Sequence, residues 1–468
     1  MANLTPNSSF GVAVRLQVAN QPGMLAKVAQ AIADVGGNLN QIELLQQTPT
    51  LSEREIFVDA SSSEHAQHIV QSIKTVTGVQ VLQVLDRTFE LHRGGKLQML
   101  GKQPLESASD LAMAYTPGVG RVSMAIAQEP ALVYDYTIKS NTVGIVTDGS
   151  AVLGLGNIGP EAALPVMEGK AVLFKKFADI DAFPICLATQ DVDQIVQTVR
   201  HLAPVFGGFN LEDISAPRCF TIEAQLKSHL KMPIFHDDQH GTAIVVLAAL
   251  INALKVVQKP LDQVRIVLNG AGAAGIAVIN LLKLAGAKHI IACDRAGIIS
   301  HDRRDLTPEK AAVAVSEGGS LAVAMAGSDV FIGVSTKDVL TVEMVKSMAA
   351  DPVVFALANP IPEIQPELVT GLVAVMATGR SDYANQINNV LAFPGVFRGA
   401  LDCRATMITP EMGLAAAEAI ATLISPSDLS AEHIIPSVFD NRVVPAVAGA
   451  VELAARESGV AGKTIIGR

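Results

Sequence analysis

The run His236-Asp237-Asp238-Gln239-His240-Gly241, with Glu212-Asp213 upstream of it, gathers carboxylates in a way that suits one hard divalent cation. Mg²⁺ and Mn²⁺ prefer carboxylate oxygen and keep positions open for water or substrate, so such a group implies metal-assisted chemistry on an oxygen-rich small molecule. A plainer role exists for the same residues. Acids favour the first turns of helices, and residues 236–240 can cap the apolar helix that follows. The two histidines are read as structural, because the carboxylates already satisfy a hard ion.

A second chemical signal is the pattern G-x-G-x-x-G, present at Gly154, Gly156, Gly159 and again at Gly270, Gly272, Gly275. Context separates the two copies. The second follows a strand over 264–268, opens a helix from 274 to about 285, and precedes a strand over 289–293 with Asp294 at its end. In such a unit the glycines let backbone approach a pyrophosphate at a helix N-terminus, and an acid about 20 positions on binds the adenine ribose. Asp294 favours NAD, since a carboxylate repels a 2′-phosphate; Arg295 beside it leaves NADP open. The first copy is followed by Pro160 and Pro165 and then Gly169, which argues against a long helix and for a tight loop near substrate or nicotinamide.

The elements that position these residues read as α/β. Residues 10–85 alternate as strand 11–18, helix 24–35, strand 39–46, strand 54–60, helix 63–75 and strand 78–85, the βαββαβ order of a ferredoxin-like (α+β) module. The basic connector His92-Arg93-Gly94-Gly95-Lys96 places a boundary near residue 90. Strand-like runs then alternate with helical patterns to about residue 400, as in parallel-sheet domains, and a mainly helical tail closes the chain. The division is 1–90, 91–240, 241–400 with a Rossmann-type fold, and 401–468.

Composition bounds the function. At 468 residues, 49% apolar, 17% charged and without Trp, the chain has room for two or three cored domains. A net charge of −10 with scattered signs provides no basic footprint for nucleic acid. The longest apolar stretch, residues 243–254, is too short to span a bilayer and reads as a core helix. The first ten residues show neither a basic nor an apolar targeting region, so no membrane association and a cytoplasmic location are expected. Cys186, Cys219, Cys293 and Cys403 are widely spaced and read as reduced thiols.

Several segments in order resemble malic enzyme in its short bacterial form: Tyr115-Thr116-Pro117-Gly118-Val119-Gly120, residues 153–159, Glu168-Gly169-Lys170, Asn210-Leu211-Glu212-Asp213-Ile214, the 236–241 run, residues 270–275, Ala358-Asn359-Pro360 and residues 388–395. The turn Asn20-Gln21-Pro22-Gly23 and Gly36-Gly37-Asn38 resemble an ACT domain, a regulatory module that often binds amino acids between paired copies. The first resemblance implies oxidative decarboxylation of L-malate to pyruvate and CO₂, reducing NAD(P)⁺ with Mg²⁺ or Mn²⁺. It assigns Lys170 as base, Tyr115 as general acid, Asp237 as support for Lys170, and Glu212, Asp213 and Asp238 as metal ligands. A lysine base at neutral pH needs its pKa lowered by burial or a nearby cation.

The same resemblance places Asn359 and Asn389 near the nicotinamide ribose and malate. Larger relatives carry a carboxylate-binding arginine before the Gly-Leu-Gly loop; this chain has Ala151-Val152-Leu153 there. Backbone amides of the loop bearing Gly154 and Gly156, or of residues 118–120, are the replacement. Adjacent residues on a regular strand face opposite ways, so Glu212 and Asp213 share an ion only if the backbone is irregular there. The alternatives are a malolactic or oxaloacetate-directed relative and a non-catalytic metabolite sensor, against which intact Tyr115, Lys170 and the three carboxylates speak. An effector at the ACT-like module and a homodimer or larger even-numbered assembly are expected.

Overall fold

The computed structural model describes residues 5–462. It divides into two compact units, Met1–Gln98 and Met99–Arg468. In the first unit, four strands, β1 (Asn7–Ala19), β2 (Asn38–Gln47), β3 (Leu51–Ala60) and β4 (Val79–Asp86), form an antiparallel sheet in the order β2-β3-β1-β4. Period-2 alternation puts Val12, Val14, Leu16 and Val18 of β1 on one face. Helices Met24–Ala33 and Ser63–Lys74 cover that face with Val28, Ile32, Ile69 and Ile73, closing a core of the unit's own. Ser62 caps the second helix by accepting the His65 N–H at 3.1 Å. This is the ferredoxin-like order that the alternation predicts.

The second unit holds two sheets. β5 (Thr142–Thr147), β6 (Asp181–Cys186), β7 (Gly208–Leu211) and β8 (Ile234–His236) are parallel in the order β6-β5-β7-β8. Six further strands follow: β9 (Arg265–Asn269), β10 (His289–Asp294), β11 (Gly297–Ile298), β12 (Val330–Gly333), β13 (Val353–Ala356) and β14 (Val375–Thr378). They run β11-β10-β9-β12-β13-β14, parallel except for β11. In both sheets the strand order reverses beside the first strand, at β5 and at β9. Such switch points open crevices at the carboxyl ends of strands, where ligands of open α/β sheets bind.

The first glycine copy departs from expectation. Gly159 leads into a helix of 19 residues, Pro160–Ala178, which joins β5 to β6. Pro160 stands at a helix start, where a missing N–H costs nothing, and Pro165 is carried inside the helix. Burial of Ala163, Met167, Ala171 and Phe174 along one face outweighs the lost hydrogen bond and the flexibility of Gly169. The apolar helix is also longer than its apolar stretch. A π-helical turn, Asp237–Gly241, runs into Thr242–Val256 to form 20 helical residues, a length and composition that would cross a membrane. Here it is a core helix, buried against the elements around it.

Helices Phe393–Asp402, Pro410–Thr422 and Val443–Glu457 close the unit, and Asn252 on the core helix ties it to them. Its amide donates to the carbonyls of Ala421 and Ile434 at 2.9 and 3.0 Å, and its oxygen accepts from Lys255 at 3.0 Å. Replacing this fully buried group by Leu leaves carbonyls without their donor. Asn252→Leu is expected to destabilise the unit by about 2 kcal/mol, read as a lower denaturant midpoint; an unchanged midpoint would show the amide to be dispensable.

Candidate active site

Lys170 stands at the centre of the site, on the buried face of helix Pro160–Ala178 and only 6% exposed. Its ammonium pairs with Asp237 and lies 3.0 Å from Glu212 Oε1. The Phe393 ring faces it with the centroid 4.0 Å from Nζ. Asn389 Nδ2 donates to Asp237 Oδ2 at 2.5 Å, and Asn210 Nδ2 donates to Glu212 Oε2 at 2.7 Å. Asn210, two residues from Glu212, and Asn389, far along the chain from Asp237, thus hold the carboxylates that hold the lysine.

Local backbone irregularity makes the acid cluster. Glu212 and Asp213 follow the carboxyl end of β7, and Asp213 adopts φ +55°, in the left-handed region that side chains other than glycine rarely visit. The strand alternation is broken, so both carboxylates turn to one side. Asp237 and Asp238 open the π-helical turn after β8 and diverge: Asp237 goes to Lys170, while Asp238 Oδ2 accepts the Asp213 N–H at 2.8 Å. A Cβ at position 241 would collide with Asp237 Oδ1, so Gly241 is required where the turn folds back on that carboxylate. Ligand atoms of Glu212, Asp213 and Asp238 lie within 4.8 Å of one another.

Electrostatics identify what the cluster lacks. Burial raises the pKa of Glu212, Asp213 and Asp238, and the neighbouring carboxylates raise them further. Asp213 Oδ2 and Asp237 Oδ1 are buried without a hydrogen-bond partner. Four carboxylates around one ammonium leave excess negative charge, and an all-oxygen donor set of this kind fits Mg²⁺ or Mn²⁺. Lys170 corrects one expectation. Burial alone would lower its pKa, but Asp237 and Glu212 outweigh burial and hold the ammonium above the ordinary lysine range. Of the histidines, His236 is fully buried and pushed down to about 4 by that burial, while His240 contacts Glu223 at 2.8 Å.

The nucleotide groove lies at the carboxyl end of β9. Each glycine there meets a separate steric demand. Gly270 has φ +115° and a Cβ on it would strike Val334 O; a Cβ on Gly275 would strike Gly270 O, so helix Ala273–Leu284 packs too closely for any side chain. Gly272 has nothing within 4 Å of its Cβ position, leaving space for a pyrophosphate against the backbone. A cavity of about 790 Å³ runs from Gly270 and Gly272 to Asp294, Arg295, Arg303 and Lys310. Burial opposes ionisation of Asp294, yet Arg303 and Lys310 hold its carboxyl well below the usual range.

The remaining sequence candidates scatter. Gly154 packs against Asn359, whose carbonyl oxygen is 3.0 Å from the Gly154 Cβ position. Gly156, with φ +78°, closes a hairpin by accepting the Val152 N–H at 3.0 Å. The first copy begins seven residues after β5 ends, whereas Gly270 directly follows β9, and only the latter geometry joins the end of a strand to a helix through the glycine turn alone. Tyr115 caps the short helix Ala108–Ala114 and is 69% exposed. No hydrogen bond joins it to Lys170 or the acids among the described residues. Sequence reading placed Gly241 and Phe393 inside motifs without a role for either, and passed over Arg303 and Lys310, because nothing in their spacing marks them.

Taken together, the two switch-point sheets, the glycine-bearing groove and the lysine–carboxylate cluster define an α/β enzyme of the dinucleotide-binding class. Comparison with known proteins narrows this. Residues 94–227 match the malic enzyme N-terminal domain, 239–455 the malic enzyme NAD binding domain, and 6–83 the ACT domain. The chain is 52% identical to the NAD-dependent malic enzyme of Geobacillus stearothermophilus over 98% of its own length and 97% of that protein's. It is 56% identical to the bifunctional malic/malolactic enzyme of Bacillus subtilis (strain 168), over 81% of this chain and 95% of the relative. The crystal structure of malic enzyme from Pyrococcus horikoshii Ot3 superposes with a TM-score of 0.79 at 44% identity, covering 81% and 92% of the two chains. The chain belongs to the malic enzyme family and carries an N-terminal ACT domain.

Because the carboxyl pKa values are raised, a cation entering the cluster displaces protons. Mn²⁺ affinity is therefore expected to rise from about pH 6 to about pH 8 with net proton release, measurable by calorimetry in buffers of different ionisation heat. Affinity independent of pH would count against the cluster as the site, and Asp238→Ala should abolish the proton release.

Proposed function

We propose that the chain oxidises L-malate at C2, releases the C4 carboxyl as CO₂ and yields pyruvate, with the hydride passing to NAD⁺. The buried Lys170, gripped by Asp237 and Glu212 beside an uncompensated acid cluster, is the observation that carries this reading. Residues 91–240 then supply the substrate and metal groups, 241–400 the nucleotide site and 401–468 the closing helices. Glu212, Asp213 and Asp238 would hold Mg²⁺ or Mn²⁺, which when bound supplies Lewis acidity at the C2 oxygen and adjacent carboxylate, while the dinucleotide supplies the hydride acceptor.

Lys170, as the neutral amine, takes the C2 hydroxyl proton. Compensation of Glu212 and Asp238 by a bound cation would remove part of what stabilises its ammonium and shift its pKa downward, with Asp237 remaining as its partner. Asp237 and Asn389 aim the amine, and Phe393 excludes water from one side of it. Tyr115, with an exposed hydroxyl open to a bound substrate, is the proposed donor of the proton that replaces the lost carboxyl at C3. Backbone amides of the loop bearing Gly154 and Gly156, which packs on Asn359, are the proposed partners of the substrate carboxylate. Similarity to the bifunctional malic/malolactic enzyme of B. subtilis supports a second reading, in which malate is decarboxylated without net nicotinamide reduction.

The purified chain is expected to reduce nicotinamide with L-malate and Mn²⁺, one pyruvate per hydride, and to stop with chelator. Malate consumed without net reduction would select the malolactic reading, and no consumption would sink both. Lys170→Met should lower turnover about 10³-fold while NADH still binds; normal turnover in that variant would remove Lys170 from the mechanism. We further propose that the ACT domain binds a small effector and supports an even-numbered homo-oligomer. Removing residues 1–90 should leave basal turnover and abolish any effector response; a response surviving truncation would refute the regulatory role.

A further inference from the structure

The switch-point strand β5 lies between β6 and β7, and one guanidinium joins the loops that leave all three. Arg218 begins helix Arg218–His229. Its Nη1 donates to Asp148 Oδ2 at 2.7 Å and to the Gln190 carbonyl at 2.6 Å, and its Nη2 donates to Ser215 Oγ at 3.0 Å. Asp148 follows β5, Gln190 follows β6 and Ser215 follows β7. The Asp148 side chain is fully buried while that of Arg218 is 24% exposed, so a charge inside the fold is matched by one at its edge.

These contacts close a ring. Asp148 Oδ1 accepts from the Ser150 N–H at 3.0 Å and the Ser150 hydroxyl at 2.5 Å; Ser150 Oγ accepts the Ser215 N–H at 2.9 Å, and Ser215 Oγ returns to Arg218. Beside the ring, the Ala151 N–H donates to the Asp213 carbonyl at 2.9 Å. Segment 150–151 is thus stapled at two points to segment 213–215. On one side of the staple runs the loop bearing Gly154 and Gly156, whose return is fixed where the Gly149 carbonyl accepts the Ile158 and Gly159 N–H groups at 3.1 and 3.2 Å. On the other side is Asp213, whose left-handed backbone brings its carboxylate to Glu212 and Asp238. Among the described residues no hydrogen bond or ion pair joins Asp148, Ser150, Ser215 or Arg218 to Lys170.

We propose that Arg218 is a positioning residue for malate and cation binding: through Asp148, Ser150 and Ser215 it holds the substrate-loop amides and the Asp213 carboxylate in one register. Ala151 offers no side-chain charge to a substrate carboxylate, which leaves capture to backbone amides, and amides bind an anion well only when their loop is held in place beforehand. The inference rests on the reading of the acid cluster and the 149–159 loop as the cation and malate sites. Fork geometry matters here, because a lysine at 218 would carry the charge without the planar set of donors that reaches three loops at once.

The test compares the full chain with Arg218→Lys and Ser150→Ala in malate consumption, in Mn²⁺ affinity by calorimetry without malate, in NADH affinity and in melting temperature. Ser150→Ala removes the hydroxyl from the ring and leaves the Asp148–Arg218 pair in place, so it decides the matter even if replacing the arginine unfolds the chain. Each variant is expected to raise the malate KM about tenfold, the loss of one charge-assisted hydrogen bond, and to weaken Mn²⁺ binding as well. Because Lys170 is untouched, kcat should stay within about twofold, the pattern of lost ground-state binding, with NADH affinity and melting temperature nearly unchanged. Wild-type KM and Mn²⁺ affinity in Ser150→Ala would overturn the proposal. So would a lower melting temperature with malate, Mn²⁺ and NADH all weakened alike, which marks a general loosening. A wild-type chain that binds Mn²⁺ but consumes no malate would instead sink the proposed reaction, and Mn²⁺ affinity in the variants would still judge the staple.

Discussion

The ion cluster around Lys170 is the constraint on which the catalytic unit turns. A buried ammonium is costly unless paired, and removing one partner of such a pair typically costs 3–5 kcal/mol. The fold meets that demand with acids from two strand ends, Glu212 after β7 and Asp237 after β8, braced by Asn210 and Asn389. Helix Pro160–Ala178 must therefore sit where Lys170 reaches both, and helix Phe393–Asp402 must bring Phe393 beneath it. Proline and glycine inside the first helix are tolerated because this packing holds it.

The same cluster explains the two strained backbone features nearby. The left-handed Asp213 and the π-helical turn at Asp237–Gly241 each break the regular period of the element they interrupt. Regular geometry would send adjacent carboxylates to opposite sides. Breaking it brings two consecutive pairs of acids together, with Glu212 and Asp237 on Lys170 and the ligand atoms of Glu212, Asp213 and Asp238 within 4.8 Å of one another. Strain of this sort persists only where surrounding structure over-determines it, and here the Asp238–Asp213 hydrogen bond and the steric requirement at Gly241 supply that.

The nucleotide half follows a different logic, in which space rather than charge is arranged. Gly270 and Gly275 are demanded by contacts with backbone oxygens, and Gly272 by the opening it leaves. Charge enters only at the far end, where Asp294, Arg303 and Lys310 form a closed network.

Much of this was legible in the sequence. Alternation read the four strands and two helices of the ACT domain, and the glycine spacing after a strand read the groove, because local periodicity and steric demands are written in consecutive residues. The clustering of Glu212, Asp213 and Asp238 was suggested by the two acidic runs and assigned residue by residue only through motif resemblance, since strand alternation argued against a shared ion. Tertiary structure decided the rest: that Pro165 would be carried inside a 19-residue helix, that Asp237, Glu212 and Asp238 would outweigh burial and raise the pKa of Lys170, and that Arg303 and Lys310 would close on Asp294. Those outcomes depend on burial and on partners far apart in the chain or unmarked by spacing. Residue order sets which groups exist and how the backbone turns locally; only packing sets which charges meet in a low-dielectric interior, and there each partner's effect is strongest.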